Sequence, residues 1–246
     1  MFNKSMSSRQ LFDSNTAESL ADVLYEMGKD LLHKKQYELA AKWLERAVDV
    51  LAGQELDRLS RDASELRMSI LESNIKALLQ QQTQRTTEKA RKLVDLLESE
   101  VGDKLIVLLL KIDLLSSTIN ETFDSNAYAD ILRRMIRSTV LNGENFKLLM
   151  YHIRKLNEMN PSLACRALDD LLTLRVLPED KDDWIEKILI TRLYMAIGQG
   201  DGDDVVAVLD DLFTSILTNF KQPISSAATL AAHTVCLVQM IYPTKS

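Results

Sequence analysis

The sequence predicts an all-α fold: antiparallel helix pairs stacked as a right-handed α-solenoid of about eleven helices. Three observations lead there. Gly and Pro number only 7 and 4 in 246 residues, too few for the turns that a sheet protein of this length needs. Apolar residues recur at helical spacing along nearly the whole chain, and no alternation persists long enough for a sheet. The helices fall into pairs that repeat about every forty residues, the period of stacked helical repeats.

The periodicity places helices near 16–34, 36–52, 56–81, 86–101, 103–118, 124–140, 145–159, 161–175, 182–197, 202–220 and 224–241. Most connections carry a breaker or a cap: Gly53 in "GQE", Thr83 to Thr87, Gly102 in "VGD", "LNGEN" at 141–145, Asn160–Pro161, "LPEDKDD" at 177–183 and "GQGDGD" at 198–203. Pro161 suits a first helical position after Asn160 as cap. Asp182 or Asp183 can cap the helix that holds Trp184, and Asp203 the one after it. Connections this short make neighbouring helices antiparallel. The expected organisation is a disordered tail over 1–15, a helical array over 16–242 and a short tail at 243–246.

Solenoid helices touch both their own partner and the next pair, so they are apolar on more than one side. Helix 36–52 carries one stripe of Ala40, Leu44, Ala47, Val48 and Leu51 and a second line of Leu39, Trp43 and Val50. Helix 103–118 is apolar from Leu105 to Leu110 and again at Ile112, Leu114 and Leu115. At about 1.5 Å per residue that run is too short to cross a bilayer, and burial between layers explains it.

The stretch Met27 to Leu51 reads as one repeat unit. Aligned on Gly28, it offers Leu24, Met27, Gly28, Leu31, Ala40, Leu44 and Ala47 at the packing positions of the tetratricopeptide (TPR) pattern. Gly28 and Ala40 fill the small positions, where two helices approach closely and larger residues occupy the grooves beside them. The stretch departs from the pattern at Leu24, where Trp is usual, at Leu31, where Tyr is usual, and in lacking a late Pro. A fainter echo follows at Ala90, Val94 and Leu97.

Composition narrows the function classes. Thirty basic against thirty-six acidic residues give a net charge of -6, which leaves no basic excess for phosphates, so direct nucleic-acid binding is not expected. Cys165 and Cys236 lie in apolar helical patterns and read as small buried hydrophobes in a reducing compartment. The first fifteen residues lack the apolar core of a secretory signal. His33, His152 and His233 are far apart and have no metal-ligand spacing, and the cysteines have none either. Asp201 to Val206 resembles a calcium loop, yet Val205 stands where an oxygen ligand is needed and no glycine sits sixth. No phosphate loop or nucleophile elbow is present. The expectation is therefore no catalytic residue, no cofactor, no metal and no enzyme activity.

Segments across the chain carry a resemblance. In order they are Leu20 to Leu51, "ELRMSILESNIKALL", "KARKLVDLLESEVGDKLIVLLLKIDLLSS", "FKLLMYHIRKLNEMNPSLACRALDDLL" and "DDWIEKILITRLYM". Their serial order resembles the meiotic Zip-four/Spo-twenty-two-like proteins, the fungal sporulation-specific tetratricopeptide family, over about residues 18–242. The resemblance implies a nuclear scaffold on meiotic chromosomes that promotes crossover formation and synaptonemal complex assembly. Its implied partners are recombination and synapsis proteins. A generic TPR peptide-binding adaptor, or a co-chaperone-type module that clamps a C-terminal carboxylate, is the alternative; Tyr25 and Lys29 would occupy its binding stretch. Members of the family are usually several times longer, so the chain reads as an early conserved part, a truncated reading frame or a fragment. Ile224 to Tyr242 contains no Asp, Glu, Lys or Arg, unlike a terminal solenoid helix with a polar outer face. The expectation there is a missing neighbour and self-association through that helix rather than a membrane span; a monodisperse monomer in light scattering would contradict self-association.

Overall fold

The computed structural model describes residues 13–52, 60–117, 123–173 and 181–199. Among them the secondary structure is helical throughout: α1 (Ser14–His33), α2 (Tyr37–Ala52), α3 (Arg61–Leu79), α4 (Gln84–Val101), α5 (Leu105–Ser116), α6 (Ser125–Ser138), α7 (Gly143–Met159), α8 (Pro161–Leu172) and α9 (Lys181–Gln199). The chain forms two units, Met1–Asp124 and Ser125–Ser246. The two helices expected near 202–220 and 224–241, the tail at 243–246 and Cys236 lie outside the described residues. So does most of the expected tail at 1–15, but Asp13 already caps α1, its carboxylate accepting the Thr16 N–H at 3.0 Å.

Side-chain caps decide where several helices start, and they move the expected boundaries. Ser60 is extended and its hydroxyl accepts the Ala63 N–H at 3.0 Å, so α3 starts at Arg61 and not near 56. Thr83 and Thr86 form a reciprocal capping box that starts α4 at Gln84, two residues before the expected start. Asn142 caps α7 at Gly143, and Asn160 caps α8 with Pro161 in its first turn, as the sequence predicts for that corner. α9 begins at Lys181, so Asp182 and Asp183 lie inside its first turn and do not precede it. α5 differs from these helices: Lys104 stands at its N-cap and supplies no side-chain acceptor.

In the first unit α1 packs on α2 and α3, α2 on α3, α3 on α4 and α5, and α4 on α5. One core runs through all five helices, from Ala21, Ala40, Leu44 and Ala47 through Ile70, Leu71 and Ile75 to Val94, Val107 and Leu110. α5 is apolar apart from Lys111, Asp113 and Ser116 and buries Val107, Leu108, Leu110, Ile112 and Leu114. Val107, Leu110 and Leu114 join the core shared with α3 and α4, and burial removes each such side chain from water at about 1.5–3 kcal/mol. The α1–α2 corner closes through Gln36 N–H to Leu31 O and Lys35 N–H to Leu32 O, both at 2.9 Å. Lys35 there takes a positive φ of 57°, the left-handed end that helices commonly adopt.

In the second unit α6 packs on α7 and α8, α7 on α8, and α8 on α9. Leu132, Met135, Ile153, Leu156, Ala164 and Leu168 form its interior. Cys165 is 5% exposed and belongs to that interior as a small apolar side chain. Phe146 of α7 stacks on Trp184 of α9, with centroids 5.3 Å apart and planes 8° from parallel. Trp184 thus carries the start of α9 onto α7.

Candidate interaction surfaces

The residues of the predicted repeat signature lie along the α1–α2 seam. Ala17, Ala21, Leu24, Gly28 and Leu31 make a helical stripe on α1, with Ala17, Ala21 and Gly28 buried. Ala40, Leu44 and Ala47 face it and are each 0% exposed. A Cβ built at Gly28 would lie 2.6 Å from Leu44 Cγ and 2.7 Å from Cδ2. The glycine is what lets Leu44 lie flat against α1. Leu24 and Leu31 flank the contact as partly buried side chains. Met27 sits at the edge of the stripe and is 41% exposed.

The second apolar line of α2 is not covered in the same way. Leu39 is 47% exposed, while Trp43 and Val50 are half-buried. The Arg46 guanidinium lies 4.8 Å from the Trp43 ring centroid, a cation–π contact that shields the indole in place of another helix. With Val23 at 57% and Met27 at 41% exposure, the first helix pair shows an apolar flank to solvent.

Polar ties fix the later helices of the first unit. The Glu18 carboxylate on α1 accepts both the Ser60 N–H at 3.0 Å and its O–H at 2.9 Å, so α1 holds the residue that starts α3. Lys89 on α4 reaches Glu45 on α2 at 2.7 Å, and Lys111 on α5 reaches Glu98 on α4 at 2.6 Å. Arg67 on α3 and Glu100 on α4 form a two-pronged pair, with Nη2 to Oε1 at 2.8 Å and Nη1 on the other oxygen. That hydrogen bonding raises the Arg67 pKa above its usual value, against burial that works the other way. Only 16% and 28% of the two side chains are exposed, so this pair is stronger than a surface ion pair. Glu100→Ala should cost about 1–2 kcal/mol, because Arg67 is left half-buried without its partner. Urea unfolding checks this, and an unchanged midpoint would show that the pair contributes nothing.

The Arg67–Glu100 pair forms one wall of a groove of about 390 Å³. Met68 of α3 and Leu97 and Val101 of α4 line it, with Arg61, Glu65 and Lys104 among its charged residues. Of these residues the sequence singles out Leu97 alone, in the fainter repeat echo. Arg67 and Glu100 are 33 positions apart, and no local pattern joins them. One signal was available: a lysine at a helix start where Ser, Thr, Asp or Asn would cap.

In the second unit the buried polar feature is Tyr128 with His152. The Tyr128 hydroxyl and His152 Nδ1 are 2.7 Å apart. Tyr128 is 0% and His152 6% exposed. Burial, then the nearby Lys155 charge, lowers the His152 pKa from 6.5 to about 4. The imidazole is therefore neutral at physiological pH and serves as a hydrogen-bonding core residue. His33, by contrast, is exposed. Among the described residues no three His, Cys, Asp or Glu side chains gather as a metal site, and no helix is long and apolar enough to cross a membrane.

This geometry, helix pairs with grooves between them, is common to many functions; the comparisons with known proteins narrow it. The family described as "Meiosis protein SPO22/ZIP4 like" matches residues 1–236. The chain belongs to the SPO22/ZIP4-like family. Its role is accordingly a meiotic one. Comparison with curated proteins and with solved structures gave no match. The SPO22/ZIP4-like match spans both units, so the Gly28 seam, the α3–α4 groove and the Tyr128–His152 pair all lie in the family region.

Proposed function

We propose that the chain is a non-catalytic, TPR-like scaffold that holds recombination and synapsis proteins together on meiotic chromosomes in the nucleus. In that role it promotes crossover formation and synaptonemal complex assembly. The observation that carries this reading is the SPO22/ZIP4-like match over residues 1–236. The packing of the first unit supports it. α1 touches both its partner α2 and the next odd-numbered helix α3, and α3 touches both its partner α4 and α5, which is how helix pairs stack in a solenoid. Such stacking leaves continuous grooves in which partner segments can lie.

The carboxylate-clamp alternative is less well supported. Lys29 is paired with Glu26 at 3.0 Å and lies 5.5 Å from the Tyr25 ring centroid. Asp22 and Glu26 are exposed on the same helix, and their charges would repel a terminal carboxylate. The test is affinity purification of the tagged chain from meiotic cells, with the bound proteins identified by mass spectrometry. The scaffold reading expects recombination and synapsis proteins; recovery of general chaperones alone would overturn it.

A further inference from the structure

The α3–α4 groove, which closes at the start of α5, has a distinct chemistry. Met68, Leu97 and Val101 give it an apolar lining. Its volume of about 390 Å³ falls in the range of sites that take a small ligand, or one or two large side chains. Its charged lining residues are Arg61, Arg67 and Lys104 against Glu65 and Glu100. Arg67 and Glu100 satisfy each other. Arg61 approaches Glu65 only to 3.7 Å, with the side chains 91% and 69% exposed, a pair too loose to resist a second carboxylate. Lys104 is exposed and stands at the positive end of α5. The charge left to a partner is therefore positive, in a chain whose net charge is -6.

We propose that this groove docks a partner protein through a short acidic peptide segment. One large apolar side chain of that segment enters between Met68, Leu97 and Val101, and its flanking carboxylates meet Arg61 and Lys104. The proposal rests on the scaffold reading and adds where a partner binds and by what chemistry. An apolar anchor inside a polar rim is the arrangement that concentrates binding energy at protein interfaces. The Arg67–Glu100 and Lys111–Glu98 ties hold the walls in place, so little ordering is needed on binding. Two loosely held cations are too few to track a nucleic-acid backbone.

The test uses the full chain carrying ¹³C-methyl methionine and three fluorescein-labelled peptides. These are Asp-Glu-Leu-Phe-Asp-Glu, its all-lysine counterpart Lys-Lys-Leu-Phe-Lys-Lys, and Asp-Glu-Ser-Ser-Asp-Glu without the anchor. The Met68 methyl peak is assigned by its loss in Met68→Leu. The acidic peptide with the anchor should bind and shift the Met68 peak, while the buried Met135 and Met150 peaks stay in place. The double variant R61E/K104E should weaken that peptide at least tenfold and favour the lysine peptide. Far-ultraviolet circular dichroism confirms that the variant is folded. The proposal is overturned if the acidic peptide binds more weakly than about 1 mM, or if the acidic and lysine peptides bind alike. An unmoved Met68 peak, an unaffected R61E/K104E variant, or equal Met68 shifts with a short single-stranded DNA would overturn it as well. Each of these would remove the groove and leave the scaffold reading to the purification from meiotic cells.

Discussion

Gly28→Leu should destabilise the first unit by about 3 kcal/mol, and Gly28→Ala by about 1 kcal/mol. Even the alanine Cβ would stand 2.6 Å from Leu44 Cγ, and Leu44 is 0% exposed, so any shift moves it against its core neighbours. Alanine gains about 1 kcal/mol over glycine in helix propensity, which offsets part of the clash and sets the smaller figure. Leucine adds three more carbons to the same contact. The readout is the fluorescence of Trp43, on the helix that carries Leu44, followed through urea unfolding in a Trp184→Phe background. A second variant separates overpacking from a general helix effect. Leu44→Ala costs about 2–5 kcal/mol alone, yet added to Gly28→Ala it should cost less by about 1 kcal/mol or more, since it removes the atoms that clash. Strict additivity of the two, or an unchanged midpoint for Gly28→Leu, would show that Gly28 is not at a close contact.

Tyr128→Phe should destabilise the second unit by about 1–3 kcal/mol, because it leaves the His152 Nδ1 buried without its hydrogen bond. Trp184 fluorescence, read in a Trp43→Phe background, follows this unit through the Phe146 stack. Equal stability of the phenylalanine variant would show that the bond contributes nothing. The same site predicts a pH dependence. The folded-state pKa of His152 is lowered to about 4 from 6.5, so the unfolded chain binds the proton more readily. The contribution of His152 is then fully present above about pH 6.5 and is lost as pH falls toward 4. The difference in stability between the parent chain and His152→Gln should shrink over that window, and a difference that stays constant from pH 7 to 4.5 would contradict a neutral buried imidazole.

Local pattern carried the helices and some of their ends. The small-residue stripes of α1 and α2 and the Asn160–Pro161 corner are readable because spacing and capping are set within a few residues. What depends on distant partners was not readable. The Ser60 cap that starts α3 is itself local, on Ala63, and the apolar periodicity overruns it; what the sequence cannot tell is that Glu18 will hold Ser60, 42 positions away. Met27 and Leu39 match apolar templates, yet exposure depends on which flank of a helix receives the next one. The groove was hidden for the same reason: its lining comes from two antiparallel helices and the corner after them. Tyr128 and His152, 24 positions apart, look like an ordinary core aromatic and a lone histidine until α6 and α7 meet.

The scaffold claim is tested most directly by whether one copy of the chain holds two partners at once. Two different meiotic proteins recovered with the chain would be purified and mixed with it, and the masses of single complexes measured by mass photometry. The account predicts a ternary complex whose mass is the sum of all three proteins. Binary complexes only, with one partner displacing the other, would contradict it.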